Sequence, residues 1–226
     1  MRIAMDGVLN GIKDNVGSNL SGMDQPGYGS LGVNIGMMYV MSHDNSYLWD
    51  GHYQSAHALI LTRSGIPIVY TGGFHHSGPP NWFPKWSTVP FLGQWDTTYM
   101  LNLLNINRNF ARGWQKSKWG NQDFVAYERI DGSDDADHVV LMFAMARGWT
   151  GGQSMEAFTT TFPEGAYLYN YSHHGGGFYA RVNGGKVRNK DDNSATIVPS
   201  GGYFAFSWRS PEESVLWQPH GGRPVT

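Results

Sequence analysis

The sequence contains no cysteine, which excludes disulfide bonds, thiolate metal sites and a cysteine nucleophile and leaves the redox compartment open. Charge is also sparse: the formal net charge is −2, and no run of lysine or arginine could neutralise a row of phosphates. We therefore expect no nucleic-acid partner. No apolar segment reaches the length of a membrane-spanning helix, so we expect no membrane partner either.

A signal peptide is not predicted at the start of the chain. Residues 1–17 interrupt their apolar positions with charged residues such as Arg2 and Lys13, whereas a signal peptide has an uninterrupted apolar core. The cellular location is therefore left undetermined by the sequence.

Aromatic residues and glycine are abundant. Nine Trp and twelve Tyr stand beside thirty Gly, a composition typical of short strands, tight turns and flat ring surfaces that can stack on a ligand. This composition suits a sugar-binding protein, and it suits an ordinary β-rich core equally well.

The first half of the chain reads as alternating helices and strands. Apolar spacing predicts helices over Met5–Val16, His52–Arg63 and Thr98–Ala111. Two almost wholly apolar runs, Val33–Met41 and Ile66–Tyr70, are typical of strands covered on both faces. The order strand, helix, strand with short joints predicts two parallel strands with a right-handed crossover.

The second half reads as antiparallel β structure. Short β-prone runs alternate with clusters of Gly, Asn and Asp, which predicts a β-sandwich. We place a domain boundary near Trp114–Asn121, giving domains 1–113 and 114–226, and expect a loosely held tail from Pro211. The predicted strands are Phe124–Ile130, Val139–Arg147, Ala166–Tyr171, Phe178–Val182, Thr196–Pro199 and Tyr203–Trp208.

Four motifs in this order resemble the C-terminal portion of the α-amylase family, glycoside hydrolase family 13. They are YVMSHDN at 39–45, SGIPIVYTGG at 64–73, NRNFARG at 107–113 and IVPSGGYFAFSW at 197–208. The resemblance implies the last two strands of a β/α (TIM-type) barrel followed by a C-terminal antiparallel β-sandwich. It also implies an α-glucan or oligosaccharide substrate, and members of the family are often secreted.

By this resemblance, Asp44 corresponds to the family's carboxylate that grips sugar hydroxyls and stabilises the transition state, and His43 to a histidine that hydrogen-bonds the same sugar. General chemistry agrees, because barrel sites form at the carboxyl ends of strands and a carboxylate there can stabilise an oxocarbenium-like ring. The alternative is that Asp44 caps a turn and His43 is an ordinary hydrogen-bonded polar residue.

Further substrate-binding candidates lie near these strand ends. The loop after the second strand is rich in rings that could stack on glucose units, and the alternative is that the same rings only anchor the loop. In this loop the chain also departs from the family, which often has an acid after Y-x-G where Gly73 and Phe74 stand here. The candidates are Asn45, Trp49, Tyr70, His75, Trp82 and Trp86.

Two catalytic carboxylates of the family are missing. Retaining hydrolysis needs a nucleophile and an acid/base about 5 Å apart, and the family's acid/base is a Glu upstream of the His–Asp pair, whereas no glutamate precedes Glu128. Asp6 lies four residues after Arg2, where the nucleophile's R-x-D motif requires two. We therefore predict that the chain alone is nearly inactive.

No metal site and no cofactor are predicted. The paired histidines His75-His76 and His173-His174 lack a carboxylate at a suitable offset, and the acidic cluster at 131–137 lacks EF-hand spacing. By the resemblance, calcium is possible in full-length members of the family.

Three functional hypotheses remain open at this point. The chain is the C-terminal part of an α-amylase-type hydrolase, a non-catalytic glucan-binding or partner-binding module, or one half of a split enzyme. In the last case it would dock on a complementing chain that supplies the missing carboxylates, and its unpaired strand edges could also lead to a homo-oligomer.

Overall fold

The computed structural model describes residues 20–24, 38–41, 55, 58–69, 97–148, 151–172 and 179–208. These residues form two helical segments and eleven strands, and most of the strands are antiparallel. The predicted helix over Met5–Val16 and the tail from Pro211 lie outside the described residues.

The predicted strand–helix–strand unit is confirmed in its described part. Strand β1 spans Met38–Met41 and strand β2 spans Ile66–Val69, and the two pair in parallel. Residues 58–62 are helical and precede β2. The fold therefore has a parallel pair in its first half, while membership of these strands in a barrel stays a proposal.

Helix α1 spans Thr97–Asn109 and confirms the helix predicted there. It ends before Gly113, whose φ of +68° places it in the left-handed region that glycine tolerates best. A side chain at Gly113 would also collide with the backbone of Ile130. Within the described residues, no helix has the length and apolar character needed to cross a bilayer.

The second half forms a seven-stranded antiparallel sheet and a two-stranded ribbon. The sheet has the order β3-β4-β5-β11-β7-β8-β9, and β6 pairs with β10 in the ribbon. A single 3₁₀ turn, Met155–Ala157, follows β6. The strands are β3 (Trp114–Gly120), β4 (Phe124–Ile130), β5 (Val139–Ala146), β6 (Gln153–Ser154), β7 (Tyr167–Asn170), β8 (Tyr179–Asn183), β9 (Lys186–Asn189), β10 (Ile197–Val198) and β11 (Tyr203–Ser207).

The central strands β4, β5 and β11 are buried on both sides. The side of the sheet that bears Tyr127 and Phe143 packs on the helical residues 58–61, on α1 and on residues 20–23; we call it the helix-side face. The opposite side, which bears Ala126 and Met142, packs on the segment 155–166; we call it the loop-side face. One sheet therefore belongs to two separate apolar cores.

The predicted β-rich second half is confirmed, with three strands that the sequence did not indicate. Strand β3 lies where a domain boundary was expected, and β9 and β6 lie in stretches taken as connections. Strands β3 and β9 are the two edges of the sheet and are mostly polar, so they lack the apolar pattern that marks β4 or β5. The arrangement is consistent with the predicted sandwich, and the division into domains at residue 113 remains a prediction.

Candidate functional site

The carboxyl ends of β1 and β2 lie side by side. In the parallel register Met38 pairs with Ile66 and Met41 pairs with Val69, so the two strands end at the same level. In α/β proteins, the edge formed by the carboxyl ends of parallel strands is where ligands bind. This edge is therefore the best candidate for a site in the first half of the chain.

The predicted site residues follow these two strand ends in the sequence, but all eight lie outside the described residues. His43 and Asp44 are the second and third residues after Met41, and Tyr70 directly follows Val69. Their predicted roles therefore remain predictions. The complete set is His43, Asp44, Asn45, Trp49, Tyr70, His75, Trp82 and Trp86.

Side chains from α1 and the sheet hold the helical residues that lead into β2. Asn107 donates to the Leu61 carbonyl (2.7 Å), and Arg129 donates through Nη1 to the Thr62 carbonyl (2.9 Å). Gln115 Oε1 accepts from the Ser64 amide (2.9 Å). The last carbonyls of a helix have no partner within the helix, so these bonds define where the helical residues end.

Two further polar contacts join helical residues before β2 to the second half of the chain. The Thr62 hydroxyl lies 2.6 Å from the Tyr127 hydroxyl, and both groups are buried. Ser55 donates to the Gly201 carbonyl (2.5 Å). The first half of the chain is thus attached to the second by directional bonds as well as by apolar contact.

Arg129 is a buried cation in this interface. Its side chain is buried (4% exposed), and its second nitrogen, Nη2, donates to the Gly113 carbonyl (2.6 Å). Burial lowers the pKa of Arg129 to about 10, and interactions with Tyr127 and Asp131 oppose this shift. The guanidinium therefore remains protonated at neutral pH inside the protein.

Glu128 is the corresponding buried charge on the loop-side face. Its carboxylate accepts from the Thr160 hydroxyl (2.6 Å) and the Thr161 amide (2.7 Å), and it forms an ion pair with Lys118 (3.3 Å). Its side chain is fully buried. These contacts hold the segment around residue 160 against β4, so Glu128 has a structural role and is not available to a substrate.

Strand β3 carries two exposed indole rings. Trp114 is 42% exposed and Trp119 is 39% exposed. A β-bulge at Lys118 lets Trp114 pair with Ile130 and Trp119 with Ala126, and both partners belong to the loop-side face. In a regular strand, the odd spacing of five between Trp114 and Trp119 would place the two rings on opposite faces. The bulge therefore puts both rings on one side of the edge strand.

Trp208, by contrast, is a core residue. It is 7% exposed, donates to the Val139 carbonyl (3.1 Å) and packs edge-on against Phe162 at 5.2 Å. It is not a candidate for sugar binding.

The acidic cluster between β4 and β5 is an exposed turn. Lys116 pairs with Asp134 (2.6 Å), Arg112 with Asp131 (3.4 Å), and His138 Nδ1 lies 2.5 Å from Asp135. The hydrogen bond with His138 is the main cause that lowers the pKa of Asp135. Among the described residues, no group of three or more histidine and acidic side chains could hold a metal ion.

The interface residues Arg129, Gln115 and Asn107 were not anticipated from the sequence. A signal was present in AYERI at 126–130, because a glutamate and an arginine inside a strand with apolar neighbours must each find a buried partner. The sequence does not say which carbonyl or hydroxyl that partner is.

Comparison with known proteins finds cyclomaltodextrin glucanotransferases among the sequence relatives. The chain is 26% identical over 119 residues to the cyclomaltodextrin glucanotransferases of Bacillus sp. strain 38-2 and of Niallia circulans. The match covers 50% of this chain and 16% of each relative, so the chain spans a minor part of their length. No protein-family model matches the chain.

Solved structures share the fold. The γ-CGTase of alkalophilic Bacillus clarkii matches with a TM-score of 0.53 and 16% identity, over 78% of this chain and 26% of that chain. CldA is described as the first cyclomaltodextrin glucanotransferase with a three-domain ABC distribution. It matches with a TM-score of 0.53 and 16% identity, over 76% of this chain and 36% of that chain. At this identity the likeness concerns the fold alone. Together with the sequence relatives, it confirms the resemblance to the α-amylase family that the four motifs predicted.

Proposed function

We propose that this chain is the C-terminal part of an α-amylase-type enzyme that acts on starch or related α-glucans. The observation that carries the proposal is the parallel register of β1 and β2, which end level at Met41 and Val69. The motifs SHDN and YTGG begin directly after these two ends. The similarity to cyclomaltodextrin glucanotransferases supports an α-glucan as the ligand.

In this proposal Asp44 and His43 bind the sugar ring at which the bond is broken. A carboxylate beside the ring would strengthen its hydrogen bonds as positive charge develops, and an imidazole would donate to a sugar hydroxyl. The rings of Tyr70, Trp82 and Trp86 would stack on neighbouring sugars, with Asn45, Trp49 and His75 beside them. These groups recognise and stabilise the substrate but do not break the bond by themselves.

The nucleophile and the acid/base would come from residues other than these. The buried contacts of Glu128 with Lys118 and Thr160 remove the first glutamate of the chain from consideration. We therefore propose that the 226-residue chain alone has little hydrolytic activity and that a complementing chain, or a segment joined to it, supplies both carboxylates.

The test compares binding and turnover on the purified chain. We expect maltoheptaose to bind and Asp44→Asn to weaken that binding, while starch hydrolysis stays near background for both proteins. Hydrolysis by the wild-type chain that Asp44→Asn abolishes would show that the chain holds a complete catalytic set. Absence of any binding by the wild type would contradict the sugar site itself.

A second candidate function is non-catalytic glucan binding, which the two exposed indoles of β3 favour. Flat aromatic faces bind the C–H faces of sugar rings, and the bulge leaves Trp114 and Trp119 on one side of the strand. We expect Trp119→Ala to reduce retardation of the chain in a starch-containing native gel. Tyr167→Ala is the matched control, because Tyr167 is 54% exposed and lies on β7, away from β3.

A further inference from the structure

We propose that Arg129 is a positioning residue for the sugar site at the carboxyl ends of β1 and β2. It would act by holding the residues that lead into β2, without touching the sugar. This inference rests on the proposed function, and its test is designed so that the two can fail separately.

Arg129 bridges two segments of backbone with one guanidinium group. Nη1 donates to Thr62 at the end of the helical residues 58–62, and Nη2 donates to Gly113, directly before β3. Because the guanidinium is planar, these two bonds fix the distance and the angle between the segments. A lysine at this position could donate to the same carbonyls only as a single point charge.

Neighbouring side chains hold the same short stretch of backbone. Within residues 61–64, Leu61 accepts from Asn107, the Thr62 hydroxyl meets Tyr127, and the Ser64 amide donates to Gln115. The last helical turn is therefore anchored by α1, β3 and β4 together. Arg129 is the charged member of this group, and its two donors reach two different backbone segments.

The burial of this charge argues for a role beyond stability. Removing a cation from water is costly, and an apolar side chain of similar size in its place is often as stable or more stable. Burial lowers the pKa of Arg129 to about 10, which reports that cost. A buried charge that is retained despite this cost is expected at a position where the backbone must be held in a fixed geometry.

The geometry reaches the candidate site through a short path. Thr62 precedes Ile66, the first residue of β2, by four positions, and β2 is only four residues long. Residues 63–65 form a bend that Gln115 holds at the Ser64 amide, and β2 beyond it is extended and has little slack along its axis. A shift at Thr62 is therefore passed on to Val69, which pairs with Met41. Small displacements at such an edge weaken substrate binding strongly.

The experiment compares Arg129→Met and Arg129→Lys with Arg188→Met. Arg188 is a suitable control because its ion pair with Glu156 is about one third exposed and lies outside this interface. Amide hydrogen exchange is measured over residues 58–69 and over β5, and maltoheptaose affinity is measured by calorimetry. All variants are compared at a temperature where near-UV circular dichroism shows them folded.

We expect Arg129→Met to accelerate exchange at 58–69 and to weaken maltoheptaose binding, each by about tenfold, which corresponds to roughly 1.4 kcal/mol. Exchange in β5, which reports global unfolding, should rise less than exchange at 58–69. Arg129→Lys should lie between Arg129→Met and the wild type, and Arg188→Met should match the wild type in both measurements.

Two results would overturn the inference. Exchange that rises equally in 58–69 and β5 would mean that Arg129 contributes only to global stability. Accelerated exchange at 58–69 with unchanged maltoheptaose affinity would mean that the site does not depend on the position of β2. If the wild type binds no maltoheptaose, the proposed function fails together with the sugar-site part of this inference, and the exchange data still decide whether Arg129 holds β2.

Discussion

The two faces of the seven-stranded sheet bury opposite charges from neighbouring residues of the same strand. On β4, Glu128 points to the loop-side face, where a lysine and two threonines meet it. Arg129 points to the helix-side face and donates to two backbone carbonyls. The loop-side charge is neutralised by an ion pair and fixes one connection. The helix-side charge is held by backbone dipoles and joins the two halves of the chain.

The two buried charges also differ in how far along the sequence their contacts reach. Glu128 contacts Lys118, ten positions away, and Thr160 and Thr161, 32 and 33 positions away, all in the second half of the chain. The contact of Arg129 with Thr62 spans 67 positions and reaches the residues before β2. Changes on the loop-side face should therefore alter stability, and changes on the helix-side face should also alter the first half of the chain.

The largest effect is expected from Glu128→Ala. Breaking a buried ion pair leaves Lys118 without its partner and two donors near residue 160 without an acceptor, which should cost about 3 kcal/mol of unfolding free energy. Urea denaturation measures the loss. The control is Glu156→Ala, whose ion pair with Arg188 is partly exposed and should contribute less than about 1 kcal/mol. Equal losses in both variants would show that burial of the Glu128 pair has no special weight.

A smaller loss of stability is expected from Arg129→Met. The Thr62 and Gly113 carbonyls lose their donor, but the desolvation cost of the charge is removed at the same time, so the net loss should be about 1 kcal/mol. Thermal and urea unfolding measure it. A loss larger than that of Glu128→Ala would contradict the ranking of the two faces.

Tyr127→Phe should have an effect of about 1 kcal/mol, because it removes one buried hydrogen bond with the Thr62 hydroxyl. A double-mutant cycle with Thr62→Val isolates the pair, and the coupling energy should be about 0.5–1 kcal/mol. Additive single effects would mean that the two hydroxyls do not interact in solution.

The smallest effect is expected at Asp135, which belongs to neither face. The hydrogen bond from His138 lowers the pKa of this exposed carboxyl, so its small contribution to stability is present above its unfolded value near 3.8 and is lost as the pH falls through the folded value. An NMR titration of the Asp135 carboxyl checks the direction. In His138→Gln the midpoint should rise toward 3.8, and an unchanged midpoint would contradict the assigned cause.

The sequence predicted the apolar strands well and the polar ones poorly. Phe124–Ile130 was predicted with its observed bounds because it lies in the middle of the sheet and every residue is buried. In β3, Gln115 is the one buried residue. The strand also contains two lysines and two exposed indoles, a composition that resembles a linker. An edge strand is held by hydrogen bonds to its neighbour, and these leave no trace in side-chain hydrophobicity.

For the candidate site, the sequence predicted the two strands but not the side-chain contacts that hold them. Apolar runs and their order predicted that Val33–Met41 and Ile66–Tyr70 would lie parallel, and the described parts, β1 and β2, do so. The contacts of Arg129 could not be predicted, since they join positions 62, 113 and 129 through three-dimensional packing. The roles of His43 and Asp44 remain predictions.

The bulge in β3 adds one residue to the strand, and that residue carries the charge that pairs with Glu128. Lys118 is the additional residue, since Ser117 pairs with Tyr127 and Trp119 already pairs with Ala126. Deleting Lys118 would therefore leave the register of every other residue pair between β3 and β4 unchanged. It would, however, remove the counter-ion of Glu128. Homologous chains that are one residue shorter at this point should carry a neutral side chain in place of Glu128.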